Sequence, residues 1–279
     1  MRKITNELIL SFKTYLTMEE KSENTIEKYI RDATFFMIWL AGREATKILA
    51  LNYKKKLCEK YAPSSVNAAI SSLNSFFAFT GWHDIRIKAL KIQRQIFSNK
   101  DKELTKAEYE RLLAAAKRKK NERLYLLMQT ICSTGIRVSE LRFVTCEAVK
   151  KGQAVISCKG KMRTIFLPKE LCRMLKEYIK KQGIKSGSVF VTGNGKPLDR
   201  SYIWKMLKNL CEAAGVSKDK VFPHNFRHLF ARTYYSLQKD IVRLADILGH
   251  SSVETTRIYT IENGDICRRQ IQKLGLLRC

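Results

Sequence analysis

Over the first ninety residues apolar side chains recur every three or four positions, a spacing that buries one face of a helix and is useless to a strand. Ile26, Tyr29, Ile30, Ala33, Met37 and Leu40 form one such stripe, opened by the Asn24-Thr25-Ile26-Glu27 cap signal and closed at Gly42. A second runs from Pro63 to Thr80 through Val66, Ala69, Ile70, Leu73, Phe76 and Phe77. Ser64, Ser65, Asn67, Ser71 and Ser72 are expected on the opposite face, and Gly81 follows the end. Weaker helices are expected over 5–19 and 44–60. These four make a small helical bundle.

Periodicity lapses between 91 and 103, and Thr105-Lys106-Ala107-Glu108 caps a fresh helix. A domain over 1–95, a linker over 96–104 and a second domain over 105–279 follow from that break. The second domain is expected to hold helices near 105–118, 122–134, 168–182 and 201–214, with Pro168 opening and Gly183 closing the third. Residues 153–158 and 163–167 read as two short strands around Lys159-Gly160-Lys161-Met162, a turn in which Gly160 can take positive φ. The fold class is mainly α with one small β-hairpin, in two domains.

Fifty-three Lys and Arg against twenty-six Asp and Glu leave a net charge of +27, which calls for a polyanionic partner, nucleic acid ahead of a membrane surface. The longest largely apolar run, 33–41, is about half of the ~18 to 20 residues a spanning helix needs. No signal peptide is read at residues 4–12, which are interrupted by Thr5, Asn6 and Glu7, so the expected location is the cytoplasm, at the nucleoid. The eight cysteines are scattered without metal-type spacing and read as reduced and mostly buried.

Chemistry concentrates in residues 222–260, which carry three of the four histidines, His224, His228 and His250. His224 and Arg227 are three apart on one helical face and can converge on one anion. A helix over 240–248 stops at Gly249, leaving His250 just beyond it. Ser251-x-x-Glu254 reads as a capping box for a last short helix bearing Tyr259. Upstream, Arg137 stands near the start of a helix, where the macrodipole disfavours a cation unless it serves something else. Glu140, three residues on, is expected to orient a neighbouring side chain.

Bland readings compete with each of these. A lone arginine is usually on the surface, a turn lysine is usually solvated, and most tyrosines, Tyr234 and Tyr235 included, serve a core or interface. His224 and His228 have the i, i+4 spacing of a zinc pair, but Arg227 between them would repel a metal, and His228 reads as structural. No clustered carboxylates are set out to hold magnesium, and residues 193–197 lack the Ser or Thr of a P-loop. No metal and no cofactor are expected.

Taken together, His224-x-x-Arg227, Leu248-Gly249-His250 and Thr255-Thr256-x-x-Tyr259 resemble the carboxyl-terminal signature of the tyrosine recombinase (phage integrase) family, the group that contains the XerC/XerD-type recombinases. CSTGIRVSEL over 132–141 resembles its first arginine motif, and CKGKMRTIFL over 158–167 its lysine hairpin, with Cys158 where glycine is common. The pieces 23–40 and 62–81 resemble, more loosely, its amino-terminal core-binding domain. The resemblance implies a two-domain DNA clamp and a metal-free strand transfer. Tyr259 is then the nucleophile and Arg137 and Arg227 the phosphate ligands, with His224 and His250 hydrogen-bonding partners of the phosphate and Lys159 the general acid. Lys161 and Arg163 are implied as phosphate contacts beside it, and Ser64, Ser65 and Asn67 present a short polar face able to approach DNA. Double-stranded DNA with inverted half-sites is the implied partner, bound by a homotetramer or together with a second recombinase. The tail, 261–279, is expected to dock on a neighbouring subunit. Two alternatives stay open: a type IB topoisomerase or resolvase, and a DNA-binding architectural factor without catalysis.

Overall fold

The structure, a computed structural model, describes residues 2–92, 100–158, 161–259 and 272–273, with Lys100, Cys158 and Lys161 in backbone alone. The chain divides into two compact units, Met1–Arg94 and Gln95–Cys279. Lys159 and Gly160, the first part of the expected linker, and nearly all of the tail lie outside the described residues.

The first unit holds α1 (Asn6–Met18), α2 (Glu23–Leu40), α3 (Lys47–Lys60) and α4 (Pro63–Phe79) around Phe12, Leu16, Phe36, Leu40, Leu73, Phe76 and Phe77. Phe12 and Phe76 meet edge to face at 5.1 Å, an arrangement aromatic quadrupoles favour. Helix α2 begins one residue before the expected cap, after Ser22, and ends at Leu40 with Ala41 in the left-handed conformation. Ser72, expected on the solvent face of α4, is fully buried instead. Its hydroxyl donates to Asp32 Oδ2 at 2.7 Å, and Lys28 Nζ donates to Asp32 at 2.6 Å and to Ser72 at 3.1 Å. A cation, a carboxylate and a hydroxyl thereby close a neutral knot between α2 and α4. Asn67 and Asn74, two turns apart, each clasp the backbone of the segment after α4. Asn67 exchanges bonds with Leu90 at 2.7 and 2.9 Å, and Asn74 with Ile87 at 2.8 and 2.7 Å. The Asn67 amide expected to face DNA is thus engaged, whereas Ser64 and Ser65 are exposed.

The second unit runs α5 (Lys106–Arg118), α6 (Glu122–Thr134), a 3₁₀ helix (Val138–Phe143), α7 (Cys146–Lys151), the antiparallel pair β1 (Gln153–Cys158) and β2 (Lys161–Phe166), then α8 (Lys169–Gln182). α9 (Arg200–Lys208) and α10 (Cys211–Ala214) replace the single helix expected over 201–214, the chain breaking at Asn209 and Leu210. α11 (Pro223–Gln238), α12 (Ile241–Leu248) and α13 (Val253–Thr256) close the described part, followed by a 3₁₀ turn Arg257–Tyr259. The expected Thr105–Glu108 capping box forms, each residue satisfying the other's backbone N–H. Residues 100–104, expected as linker, pack into this unit instead. Leu104 is fully buried, Asn225 Nδ2 donates to the Lys102 carbonyl at 2.8 Å and Arg232 pairs with Glu103.

Strand β2 begins at Lys161, two residues earlier than expected, and pairs Ile156 with Arg163 and Ala154 with Ile165. Ala154, Ile156, Ile165 and Leu167 are buried while Met162 and Phe166 are exposed. Strand alternation therefore puts Arg163 on the inner face. Five cysteines are described and free, with Cys146, Cys172 and Cys211 buried and Cys58 exposed. No described helix is long and apolar enough to cross a membrane.

Candidate active site

Three helix ends build the site. Helix α6 stops at Gly135, whose φ of +65° favours glycine and where a Cβ would meet the Phe230 ring at 2.5 Å. Without a side chain there, the C-terminus of α6 can lie against α11 and α12. Two residues on, Arg137 caps the 3₁₀ helix, and Glu140 ties it down. Glu140 Oε2 accepts the Arg137 backbone N–H at 2.9 Å, and Oε1 accepts from its Nη1 at 3.0 Å. Arg137 Nη2 reaches the Gly249 carbonyl at 3.3 Å, and over a third of the side chain stays open to solvent.

Arg227, one turn into α11, is only 2% exposed. Its Nη1 donates to the Gly135 carbonyl at 2.5 Å and its Nη2 to the Leu248 carbonyl at 2.7 Å and to His250 Nε2 at 3.0 Å. Burial, then the nearby Arg137 charge, pulls its pKa down to about 10, against which a hydrogen bond with Tyr259 works. It remains a cation at neutral pH.

A guanidinium can only donate, so His250 Nε2 accepts and its proton sits on Nδ1, which meets the buried Thr256 Oγ1 at 2.8 Å. Burial and the neighbouring arginines, Arg227 first, lower the His250 pKa to about 4, consistent with that neutral tautomer. His224 reaches solvent, yet the protein packed behind it, then Arg227, Arg137 and Arg200, lower its pKa as well. Two imidazoles beside the arginines are thus neutral at pH 7, with both nitrogens of His250 already engaged by Arg227 and Thr256.

Tyr259 is 4% exposed, packed with Ala231, Leu244 and Leu248. The His250 ring lies parallel to it at 6.1 Å, and His228 meets it edge to face at 4.8 Å. His228 also touches His224 at 4.4 Å, its Nε2 has no hydrogen-bond partner in the protein, and burial drives its pKa down to about 3. His228, expected to be structural, packs as a wall against the Tyr259 ring. The short helix before Tyr259 is capped by Ser252, which accepts from Glu254 N at 3.2 Å, in place of the expected Ser251–Glu254 box.

The structure brings Arg137, Glu140, His224, Arg227, His250 and Tyr259 to one place. Lys159 lies outside the described residues, as does the Lys161 side chain. Arg163, expected to contact phosphate from the hairpin, turns inward instead: its Nη2 donates to Glu140 Oε2 at 2.7 Å and its Nη1 to the Leu248 carbonyl at 2.6 Å. Arg200 is a further member that the sequence motifs do not single out, and Thr256, part of the terminal signature, is found to hold the His250 ring. Among the described residues, no group of three or more His, Cys, Asp or Glu is placed to hold a metal ion.

Residues 102–264 match the model of the phage integrase family. Tyrosine recombinase XerA of Pyrococcus furiosus is 31% identical over 98% of this chain and 96% of its own. The chain belongs to the phage integrase family of tyrosine recombinases. This tyrosine recombinase is a site-specific DNA strand transferase. A crystal structure of XerA recombinase aligns with 99% of the recombinase and 100% of its own chain, at 27% identity and a TM-score of 0.53. A lambda integrase tetramer bound to a Holliday junction shares the fold, with a TM-score of 0.72 at 17% identity over 91% of this chain and 76% of that one.

Proposed function

We propose that the recombinase cleaves DNA by attack of the Tyr259 hydroxyl on a scissile phosphodiester. The Tyr259 oxygen–phosphorus bond forms, the bond to the 5′ oxygen breaks, and the strand is left joined to the protein as a 3′-phosphotyrosine. Arg137, partly open to solvent, and Arg227, buried beneath it, neutralise the non-bridging oxygens as charge builds in the transition state. Neutral His224 takes the phenol proton, and Lys159 gives a proton to the departing 5′ oxygen. Attack by a 5′-hydroxyl of another strand reverses the step and rejoins DNA.

His250, expected to hydrogen-bond the phosphate, has both ring nitrogens engaged and braces Arg227. To meet the phosphate it must release Arg227 and carry a proton on Nε2. The observation that carries the reading is the packing of Tyr259 against Arg227, His250 and His228. Tyr234 and Tyr235 pack at the edge of the same apolar cluster without those partners.

The two units are proposed to clamp duplex DNA, the first as a core-binding domain, using the net charge of +27 for phosphate contacts. The assembly proposed is a homotetramer on inverted half-sites, joined through the tails and working in the cytoplasm at the nucleoid. The lambda integrase tetramer supports it by analogy of fold.

The test needs a substrate, obtained by recovering duplexes from a randomised pool through covalent capture on wild-type protein. On such a duplex, Tyr259→Phe should bind as the wild type does and leave no protein attached to DNA after denaturation. Covalent product from that variant would pass the role to another residue.

A further inference from the structure

The α12 C-terminus is a meeting point for three guanidinium groups. Leu248 O accepts from both Arg163 and Arg227, and Gly249 O accepts from Arg137. Gly249 has φ +62°, and a Cβ there would land on the Arg163 guanidinium, so glycine both ends the helix and admits that arginine. Of the three, Arg137 is the one most open to solvent, and its own carboxylate partner is shared. Glu140 Oε2 accepts from Arg137 N and from Arg163 Nη2, while Oε1 takes Arg137 Nη1. A carboxylate held by Arg137 alone could pivot. Held on its other oxygen by a guanidinium that is itself fixed to a helix end, it has one orientation.

We infer that Arg163 is a positioning residue for the strand transfer. One arm of its fork locks Glu140, and hence Arg137, while the other locks the helix end that also holds Arg227. The planar fork suits this because two donors diverge from one rigid group toward two acceptors, which a lysine ammonium on a flexible stem cannot reproduce. The inference rests on the reading of Arg137 as a ligand of the scissile phosphate.

The experiment is single-turnover cleavage of the captured duplex by Arg163→Ala, Arg137→Ala and the double variant, alongside binding at several salt concentrations. Arg163→Ala should slow cleavage about tenfold to hundredfold, the range for losing one partner in a coupled ion-pair network. In the Arg137→Ala background the same change should cost less than about threefold, because the group it positions is gone. Affinity and its salt dependence should stay at wild-type values. A salt slope lower by about one would make Arg163 a phosphate contact and overturn the inference, as would fully additive losses in the double variant.

A second substrate separates positioning from a general loss of active protein. Replacing a non-bridging oxygen of the scissile phosphate by a methyl group removes the negative charge that Arg137 is there to neutralise. Arg163→Ala should then recover much of its deficit relative to wild type, whereas an equal deficit on both substrates counts against the inference. Arg137→Ala cleaving the natural duplex at the wild-type rate would remove the reading of Arg137 itself. If Arg137→Ala is slow and Arg163→Ala adds to it in full, only the role of Arg163 falls. Should Arg163→Ala fail to fold, Arg163→Lys keeps the charge but not the fork and is expected to show the same non-additivity.

Discussion

Among the described residues, the polar cluster between α2 and α4 in the first unit and the one around Glu140 in the second differ in charge balance. In the first unit Lys28 and Asp32 cancel, with Ser72 filling the remaining hydrogen-bond position between α2 and α4 and Arg31, mostly in solvent, 4.0 Å from the other Asp32 oxygen. In the second, Arg137 and Arg163 share the carboxylate of Glu140, and the other donors of these two and of Arg227 fall on the carbonyls of Gly135, Leu248 and Gly249 and on His250 Nε2. Carbonyl dipoles at a helix C-terminus ease a cation's desolvation but do not cancel its charge. A polar cluster that serves only the fold ends up neutral. The one that keeps surplus positive charge under low solvent exposure is suited to an anion that arrives later, which under the proposed function is the scissile phosphate.

The sharpest way to break the comparison is to ask whether the surplus charge works on phosphoryl oxygens. Arg227→Ala should lower the cleavage rate about 10²- to 10³-fold, the usual cost of one oxyanion donor. Lys159→Ala should cost about 10²- to 10⁴-fold if the lysine protonates the leaving oxygen. Sulfur in place of the bridging 5′ oxygen distinguishes the two. A thiol's pKa is only about 8 to 9, so a thiolate departs without help. Lys159→Ala should approach the wild-type rate on that substrate, and Arg227→Ala should not. Equal defects of Lys159→Ala on both substrates would make the lysine a binding or positioning group and send the search for the general acid to Lys161 and His224.

Stability sharpens the contrast at the next scale. Glu140 is 3% exposed and serves two guanidiniums, so Glu140→Gln leaves the mostly buried Arg163 and the partly open Arg137 short of their counter-charge, a loss of about 3 kcal/mol, the lower end of the range for a fully buried pair. Asp32→Asn keeps most of its hydrogen bonds beside a lysine that reaches solvent, and should cost about 1 to 2 kcal/mol with cleavage by bound protein unchanged. Urea unfolding of both variants checks the order. If Asp32→Asn proves the more destabilising, the distinction drawn between the clusters is wrong.

Much of this was legible in the residues themselves. Apolar spacing marks the helices, and Gly135, Gly183 and Gly249 close α6, α8 and α12 in the left-handed conformation that glycine permits. The spaced motifs name the arginines, histidines and tyrosine that the fold gathers. What stayed hidden has two physical causes. Half of the acceptors that hold the site are backbone carbonyls, which carry no residue-type signature. The other cause is parity: Arg163 alternates with Met162 and Thr164 in step with Ile165 and Leu167, a period-two pattern that points it inward, but its charge suggested DNA. Ser72 is the same lesson on α4, a small polar residue on a buried stripe whose partners, Lys28 and Asp32, are some forty residues away.

The last contrast concerns protons. His224, His228 and His250 all have pKa values below the ordinary histidine range in the folded protein, the last two at about 3 and about 4, with burial the leading cause. An unfolded chain takes up these protons near pH 6.5. Above that pH both states are neutral at these rings and nothing is lost. As pH falls from about 6.5 toward 4, the unfolded state binds protons that the native site refuses, so stability must decline across that window and rise with pH through it. The decline belongs to the second unit, because all three rings are there, two of them facing Tyr259 and all beside arginines. Hydrogen exchange followed peptide by peptide from pH 7 to 4.5 should show protection in α11 falling away before protection in α4. His228→Phe, which replaces a ring without a hydrogen-bond partner at Nε2 by one that needs none, should flatten the decline in α11. If α4 loses protection first, or if His228→Phe leaves the profile of α11 unchanged, the neutral imidazoles do not carry the acid sensitivity of the site.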